Sequence, residues 1–339
     1  MRAPEFWRGG YPLPLHLPLL PLSLAWRAGA AIRRATAGRP VRPAVPLVCV
    51  GNITAGGAGK TPTVIALAQW FEEQKLRPHV LTRGYGGALS GSGPHLVDPA
   101  IHDASQVGDE ALLHAAVAPT VISASRAKGA MAAAEGADLV IMDDGHQNPT
   151  VARDLSIVVI DLGFGFGNGH LIPAGPLREP VAAGLSRANA VIGIGRGSFP
   201  DEVRRSGLPA LRARLVPDLA AQMLSGERVV ALTGIGRPLK FVDTLQELGC
   251  EVVGLQAHAD HHVFREDEIM RALDVATARK AMVVTTTKDH VRLPEAARQM
   301  IRPVGVSLEF RQPELLDALL QPVADLARRG PGGGLTRPA

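Results

Sequence analysis

Short apolar runs rich in Val and Ile alternate along this chain with Ala-rich stretches of helical length. Such alternation is typical of a parallel α/β sheet, in which strands buried on both faces are connected by helices. The stronger runs end in Gly, Asp or Thr, at the edge of the sheet where ligands bind. This first series predicts strands at residues 46–50, 79–82, 120–123, 139–142, 157–160 and 190–194.

A second alternating series follows residues 211–227, where the pattern weakens. It predicts strands at residues 228–233, 251–255, 282–286 and 303–306. A chain of 339 residues is long enough for two domains. We therefore expect a core domain at 46–215 with helices on both faces of its sheet, and a smaller α/β domain at 216–328 that contributes to the active-site cleft. The tail at 329–339 has too little apolar content to pack and is predicted to be disordered.

Residues 1–45 form an apolar and cationic arm. Residues 9–26 are uncharged and Leu-rich, but four prolines interrupt them. A proline inside a helix costs about 3 kcal/mol, which argues against a continuous membrane-spanning helix of about 20 residues. The remaining Leu residues, Trp26 and Ile32, with Arg27, Arg33 and Arg34, could lie on a membrane surface, where each basic residue contributes about 1 kcal/mol. A helix docked on the protein's own core is the alternative.

The net charge and the two cysteines bear on the partners and on the cellular compartment of the protein. Lys and Arg number 36 against 32 Asp and Glu, a net charge of only +4, and this gives no indication of a nucleic-acid partner. The two cysteines, Cys49 and Cys250, lie far apart in apolar runs, which is typical of buried thiols in a reducing compartment.

The segment GNITAGGAGKTPT at residues 51–63 lies between a predicted strand and a predicted helix. Backbone N–H groups of such a glycine-rich turn converge on phosphate oxygens, Lys reaches the outer phosphates, and Thr holds Mg²⁺. Thr54 departs from the general P-loop pattern, which has Gly at that position. The predicted fold class is therefore an α/β P-loop NTPase-type parallel sheet with a smaller α/β C-terminal domain. The predicted phosphate-binding residues are Thr54, Ala55, Gly56, Gly57, Ala58, Gly59, Lys60 and Thr61.

A nucleotide site also needs a carboxylate for Mg²⁺ at the end of a neighbouring strand. The apolar run at residues 139–142 is followed by Asp143, Asp144 and Gly145, which fits this requirement. Either acid could bind the metal directly or through water.

Further segments accompany these two motifs: TRGYGG at 82–87, VGDE at 107–110, DDGHQ at 143–147, RD at 153–154, PAGPLRE at 173–179, DHH at 260–262 and TTKD at 286–289. In this order, over residues 46 to about 293, they resemble the tetraacyldisaccharide 4′-kinase family. The family's version of the glycine-rich loop also accommodates Thr54.

The resemblance implies an enzyme that uses ATP and Mg²⁺. It would phosphorylate the 4′-hydroxyl of tetraacyldisaccharide 1-phosphate, giving lipid IVA in lipid A biosynthesis. Members are monotopic at the cytoplasmic face of the inner membrane of Gram-negative bacteria. The N-terminal arm would then be a membrane-docking helix.

The resemblance also implies roles for single residues. Lys60 and Thr61 correspond to the family's phosphate-binding pair, and Asp143 and Asp144 to its metal-side acids. Asp109 corresponds to the base that acts on the sugar hydroxyl, and His261 to the His that follows Asp in the second domain. Positions on the substrate side are Arg83, Tyr85, Arg178 and Glu179.

Two positions depart from the family pattern: Asn148 replaces a His, and Thr287 replaces a Glu. From the residues alone, other interpretations also stay open. Asp109 precedes an Ala/Leu-rich stretch and could serve only as a helix cap. His261 and its neighbour could be structural, and a metal site built from His258, His261 and His262 lacks a convincing partner set.

Other P-loop classes are the main alternatives. A GTPase should carry an Asn/Thr-Lys-x-Asp motif, and residues 287–289 lack its spacer. A metallochaperone should carry a Cys/His cluster, which two scattered cysteines do not provide. An ATP-dependent ligase of the dethiobiotin-synthetase type and a non-catalytic nucleotide-dependent switch at the membrane complete the alternatives.

Overall fold

The computed structural model describes residues 4–8, 17–236, 238–260 and 262–330. His261 and residues 331–339, most of the predicted disordered tail, lie outside the described residues, as does Arg237. The strands are β1 Leu47–Gly51, β2 Pro78–Thr82, β3 His95–Leu96, β4 Thr120–Ile122, β5 Leu139–Asp143, β6 Leu155–Asp161, β7 Ala190–Ile194, β8 Ala210–Pro217, β9 Arg228–Thr233, β10 Glu251–Ala257, β11 Met282–Thr286, β12 Arg302–Val304 and β13 Val306–Phe310.

Helices connect most of these strands. They are α1 Leu20–Ala35, α2 Lys60–Glu73, α3 Ala104–Val107, α4 Asp109–Ala115, α5 Arg126–Ala133, α6 Val181–Leu185, α7 Asp201–Ser206, α8 Leu219–Gln222, α9 Pro238–Glu247, α10 Glu266–Ala278, α11 Thr287–His290, α12 Glu295–Met300 and α13 Pro313–Arg328. Short 3₁₀ helices lie at Glu5–Arg8, Leu17–Leu19 and Ala88–Gly91.

The strands form two sheets. Over the described residues, a nine-stranded sheet has the order β13-β8-β7-β6-β1-β5-β2-β4-β3, and a four-stranded sheet has the order β10-β9-β11-β12. Strand β1 pairs in parallel with β5 on one side and β6 on the other. From β1 the chain continues to β2 on the β5 side, and it later crosses from β5 to β6 on the other side of β1. Ligands of open α/β sheets bind at such a switch point.

Alternate residues of the central strands face two separate cores. Val48 and Val50 of β1 pack with Leu67 of α2, whereas Leu47 and Cys49 pack against α5. Successive side chains of a strand point to opposite faces, so a strand buried on both faces is apolar throughout. Burial on both faces therefore accounts for the uninterrupted apolar runs of the sequence, since helices cover each face of the sheet.

The C-terminal strand and helix belong to the larger sheet. Strand β13 pairs antiparallel with β8, and Leu320 of α13 is buried in the core that contains α2. Trp70 Nε1 of α2 donates to Asp317 Oδ1 of α13 at 2.7 Å. The prediction grouped residues 306–328 with the smaller domain at 216–328, but in the structure they pack with the larger sheet. Both β8 and β13 alternate polar and apolar residues because one side faces solvent, so neither stands out as an apolar run.

Helix α1 lies against the loop at residues 168–178. Ser23 Oγ donates to Leu171 O at 2.8 Å, and Trp26 Nε1 donates to Arg178 O at 2.9 Å. Leu22 and Ile32 remain exposed. None of the helices in the described ranges is both long and apolar enough to cross a bilayer.

Replacing Leu320 by Ala tests the place of α13 in the larger core. We expect a loss of about 2–5 kcal/mol in the free energy of unfolding, because a buried side chain is replaced by a cavity. Leu315→Ala, at an exposed position of the same helix, should change it by less than about 0.5 kcal/mol. Urea unfolding measures both, and equal effects would contradict this packing.

Candidate functional site

The glycine-rich loop joins β1 directly to α2. Gly59 has φ +92°, a left-handed conformation, and a Cβ there would lie 2.5 Å from Ile194 Cδ1. Asn52 is fully buried, and its Nδ2 donates to Thr54 O at 2.6 Å. Its Oδ1 accepts from Lys60 Nζ at 3.5 Å. Asn52 therefore fixes the loop backbone and the lysine together.

A second segment is attached along the loop. Ala55 N donates to Pro176 O at 2.7 Å, and Arg178 N donates to Ile53 O at 2.8 Å. Thr54 and Leu177 form an isolated antiparallel bridge. The PAGPLRE segment thereby holds Arg178 beside the phosphate loop, although more than 100 residues separate them in sequence.

Asp144 lies between two cations of this site. Arg178 Nη1 contacts its two carboxylate oxygens at 2.8 and 3.0 Å, and Lys60 Nζ lies 3.6 Å from Oδ1. Burial of Asp144 by itself raises its pKa, but the positive charges of Lys60 and Arg178 outweigh burial and lower the pKa to about 2. The carboxylate is therefore ionised at neutral pH.

Asp143 has a different environment from its neighbour. Its side chain is 1% exposed, against 34% for Asp144, and its Oδ2 lies 3.1 Å from Nε2 of buried His114. Its Oδ1 is buried and has no hydrogen-bond partner among the described residues. Arg126 donates to the backbone carbonyl of Asp143 at 2.9 Å. The two acids that the sequence treats alike are thus separated: Asp144 lines the cleft, and Asp143 is packed behind it.

The TRGYGG segment carries Arg83 and Tyr85, which line the same cleft and are exposed. This segment packs tightly on the VGDE segment: a Cβ on Gly87 would meet Gln106 O at 2.5 Å, and one on Gly108 would meet Tyr85 O at 2.6 Å. Only glycine permits this close approach. The two segments that supply Arg83 and Asp109 are therefore fixed to each other.

Asp109 is the first residue of α4 and is buried. Its Oδ1 accepts from Glu110 N at 2.8 Å, while its Oδ2 lies 3.1 Å from Arg292 Nε. The N-cap position of α4 belongs to Gly108 rather than to Asp109. Lys288 Nζ lies 3.9 Å from Asp109 Oδ2. The smaller sheet thus brings two cations to Asp109. His261, its predicted partner, lies outside the described residues.

Glu179 is buried in a polar network. It accepts from Gln147 Nε2 at 2.9 Å and pairs with Arg187 at 2.5 Å, and Arg34 of α1 lies 3.7 Å away. Gln147 also donates to Asn52 O at 2.8 Å. These contacts connect α1, the DDGHQ segment and the phosphate loop.

Glu268, which the sequence did not indicate, lies beside His258 and His262. It accepts from His262 Nε2 at 2.7 Å and from Arg265 N at 2.9 Å, and His258 Nδ1 lies 3.7 Å away. Ligand atoms of His258, His262 and Glu268 lie within 4.8 Å of one another. Because these hydrogen bonds already occupy the Glu268 carboxylate, we interpret the cluster as a structural contact that holds the histidine-containing loop on α10.

An open cleft of about 3380 Å³ brings most of these groups together, although neither Asp109 nor Asp143 is among the residues that line it. Its walls include the phosphate loop, Asp144 and Arg178 from the larger sheet, Lys288 from the smaller one, and Trp26 of α1. Four residues that contact the predicted site residues were not predicted from the sequence: Asn52, Arg126, His114 and Arg292. Asn52 and Arg292 lie within or next to quoted motifs, but nothing in their spacing shows that they are buried.

A strand, a glycine-rich loop and a helix that begins at Lys60, with Asp144 on the adjacent strand end, define a P-loop phosphotransferase site. The family model described as tetraacyldisaccharide-1-P 4′-kinase matches residues 15–324. The chain therefore belongs to the tetraacyldisaccharide 4′-kinase family, which confirms the resemblance and separates it from the other P-loop classes considered.

Similar proteins cover almost the whole chain. The tetraacyldisaccharide 4′-kinase of Rhodospirillum centenum is 50% identical, over 95% of this chain and 97% of that protein. That of Rhodospirillum rubrum is 48% identical, over 94% and 97%. The crystal structure of LpxK from Aquifex aeolicus in complex with ATP has a TM-score of 0.73 at 26% identity, covering 91% of this chain and 99% of that one. The predicted fold class is confirmed by this likeness.

The depressed pKa of Asp144 predicts a pH dependence of stability. Its contribution is complete above the ordinary value near 3.8 and is lost as pH falls through about 2. Between pH 7 and pH 3 we expect about 0.5–1 kcal/mol of that contribution to disappear, because solvent screening reduces the effect of a partly exposed carboxylate. Asp144→Asn should lack this component in urea unfolding at the two pH values. An identical pH dependence in both proteins would contradict the ion pairs.

Proposed function

We propose that this protein transfers the γ-phosphate of ATP to the 4′-hydroxyl of tetraacyldisaccharide 1-phosphate, forming lipid IVA. The observation that carries the proposal is the arrangement of Lys60, Asp144 and Arg178 at the phosphate loop of a chain that belongs to this kinase family. The ATP-complexed relative from Aquifex aeolicus supports ATP as the phosphate donor.

The phosphate loop supplies the binding charge for the triphosphate. Backbone N–H groups of residues 54–61 and the start of α2 favour phosphate oxygens, and Lys60 adds a full positive charge. Asn52 holds the lysine and the loop carbonyls, so the loop is organised before nucleotide arrives. Preorganised groups stabilise a transition state without reorganisation during the reaction.

Mg²⁺ fits the residues of this site. Thr61 and Asp144 both line the cleft and offer hydroxyl and carboxylate oxygens, the donors that Mg²⁺ prefers. Asp143 is excluded from direct contact with the cleft by burial, and the metal role we assign to this pair therefore falls on Asp144. The bound ion would neutralise charge on the β- and γ-phosphates.

Arg178 and Lys60 provide the cations for the transferred group. Phosphoryl transfer requires mainly positioning and neutralisation of diffuse negative charge. Both cations contact Asp144. A metal bound to Asp144 and a triphosphate beside it would redirect these two cations towards phosphate oxygens.

Asp109 is our candidate for the group that accepts the proton of the sugar hydroxyl. A carboxylate within hydrogen-bond reach of a weak nucleophile assists late in the reaction. Its contact with Glu110 N uses Oδ1, and Oδ2 is the oxygen that lies beside Arg292 and Lys288. We retain His261 as its predicted partner, contributed by the smaller unit closing on the core, which would exclude water from the reaction. Arg83, Tyr85 and Arg178 are the predicted substrate contacts, and Glu179 supports them from within its buried network.

Helix α1 is suited to contact the cytoplasmic face of the inner membrane. Its exposed Leu22, Leu24 and Ile32 offer apolar surface, and Arg27 and Arg33 offer charges that attract anionic headgroups. The same helix contributes Trp26 and Arg34 to the cleft. A lipid-bound disaccharide could thus enter from the membrane beside α1.

The wild-type protein, incubated with labelled ATP and the disaccharide 1-phosphate, should produce a disaccharide labelled at the 4′ position. Asp109→Asn should lower this rate by about 10²–10⁴-fold, because the proton acceptor is lost. ATP affinity should remain unchanged. The control is Asp103→Asn, the same change at an exposed position near the start of α3. If the wild-type reaction leaves the 4′ oxygen unlabelled, the proposed acceptor hydroxyl is wrong. If Asp109→Asn keeps full activity, only the proposed role of Asp109 as proton acceptor is wrong.

Membrane contact through α1 predicts binding to vesicles of anionic and zwitterionic phospholipid. The double variant Leu22→Asp/Ile32→Asp should bind about 10²–10⁴-fold more weakly, since each apolar side chain that enters lipid contributes about 1.5–3 kcal/mol. Leu219→Asp, at an exposed position outside α1, is the matched control. Sedimentation with vesicles gives the affinities, and equal binding by all three proteins would exclude this surface.

A further inference from the structure

Arg292 lies where the smaller sheet meets the VGDE segment of the core. We infer that Arg292 is a positioning residue for Asp109: its guanidinium fixes this carboxylate relative to the ends of the smaller sheet's strands. The inference rests on the proposed function of Asp109 and assigns a role to a residue outside the phosphate loop.

The guanidinium joins two buried carboxylates. Arg292 Nε lies 3.1 Å from Asp109 Oδ2, and Nη2 lies 3.2 Å from Asp289 Oδ1. The three side chains are 6%, 5% and 0% exposed, respectively. Buried charges persist only when they are paired, and this one guanidinium lies beside both acids.

Asp289 connects the guanidinium to the smaller sheet. Its Oδ2 accepts from Thr233 Oγ1 and from Thr286 Oγ1, both at 2.8 Å. These threonines end the adjacent strands β9 and β11. Any shift of these strand ends is therefore transmitted through Asp289 to Arg292.

Two nitrogens of the guanidinium also contact the backbone. Nε donates to Lys288 O at 3.2 Å. Nη1 lies 3.4 Å from Gly234 O and 3.3 Å from His262 O. His262 is itself held by Glu268 of α10. One planar group thus ties the loop after β9, the histidine-containing loop and α11 to the start of α4.

This arrangement restricts the orientation of the Asp109 carboxylate. Glu110 N fixes Oδ1 while Arg292 lies beside Oδ2, so rotation of the carboxylate is restricted. A second cation, Lys288, also faces this carboxylate: its Nζ lies 3.9 Å from Asp109 Oδ2 and 3.4 Å from Glu110 Oε1. Arg292→Lys would keep a positive charge at this position but would lose the planar guanidinium that contacts all these segments.

The test compares Arg292→Gln and Arg292→Lys in the full chain with ATP and disaccharide 1-phosphate. For Arg292→Gln we expect kcat to fall about 10²-fold through misplacement of Asp109, with ATP affinity unchanged. The acidic limb of the kcat–pH profile should move to higher pH, because the carboxylate loses a neighbouring cation. Arg292→Lys should keep that limb near its wild-type pH while kcat falls about tenfold. Arg271→Gln, an exposed arginine on α10, is the control and should match wild type.

Asp109→Asn and the double variant Asp109→Asn/Arg292→Gln separate the possible failures. Full activity of Asp109→Asn would reject the proposed role of Asp109. If Asp109→Asn lowers kcat but Arg292→Gln leaves both kcat and the acidic limb of the kcat–pH profile unchanged, the inference about Arg292 is wrong while the proposed role of Asp109 stands. The double variant should be no slower than Asp109→Asn, since Arg292 acts through Asp109. If thermal unfolding shows that Arg292→Gln does not fold, Arg292→Lys decides, and wild-type kcat in that folded variant overturns the inference.

Discussion

The active cleft depends on the ion pairs that Asp144 forms with Lys60 and Arg178. Two cations that converge on a triphosphate site repel each other before nucleotide binds, and a carboxylate between them offsets this repulsion. The same carboxylate is an oxygen ligand that suits Mg²⁺. One side chain thus holds both cations beside the phosphate loop.

Backbone contacts make this charge arrangement rigid. The phosphate loop is bridged to the PAGPLRE segment on one side and held by buried Asn52 on the other. Strand β1 lies at the switch point of the larger sheet, which brings the loop to the cleft. The smaller sheet faces this site through Arg292, Asp289 and Lys288, so its position relative to Asp109 is set by buried charges rather than by apolar packing alone.

Helix α1 connects the cleft with the surface that we assign to the membrane. Trp26 donates to the carbonyl of Arg178, and Arg34 lies near Glu179, so the helix touches both residues next to the phosphate loop. An acceptor with four acyl chains must present its sugar to ATP while its chains stay out of water. An amphipathic helix that contacts lipid on one side and the cleft on the other meets this constraint.

The sequence by itself determined the buried parallel strands, the phosphate loop and the family, because apolar runs and backbone-binding motifs are local and contiguous. Strands β7, β9 and β11 have their predicted bounds. The solvent-facing strands β8 and β13 were missed, since an alternating pattern with few residues resembles a loop. The roles predicted for Asp109, His261 and the substrate-side residues stay predictions. Only the tertiary structure decided that Asp144 rather than Asp143 lines the cleft, and that Arg292 meets Asp109. Adjacent residues at a strand end point to opposite sides, and packing alone fixes which side is buried.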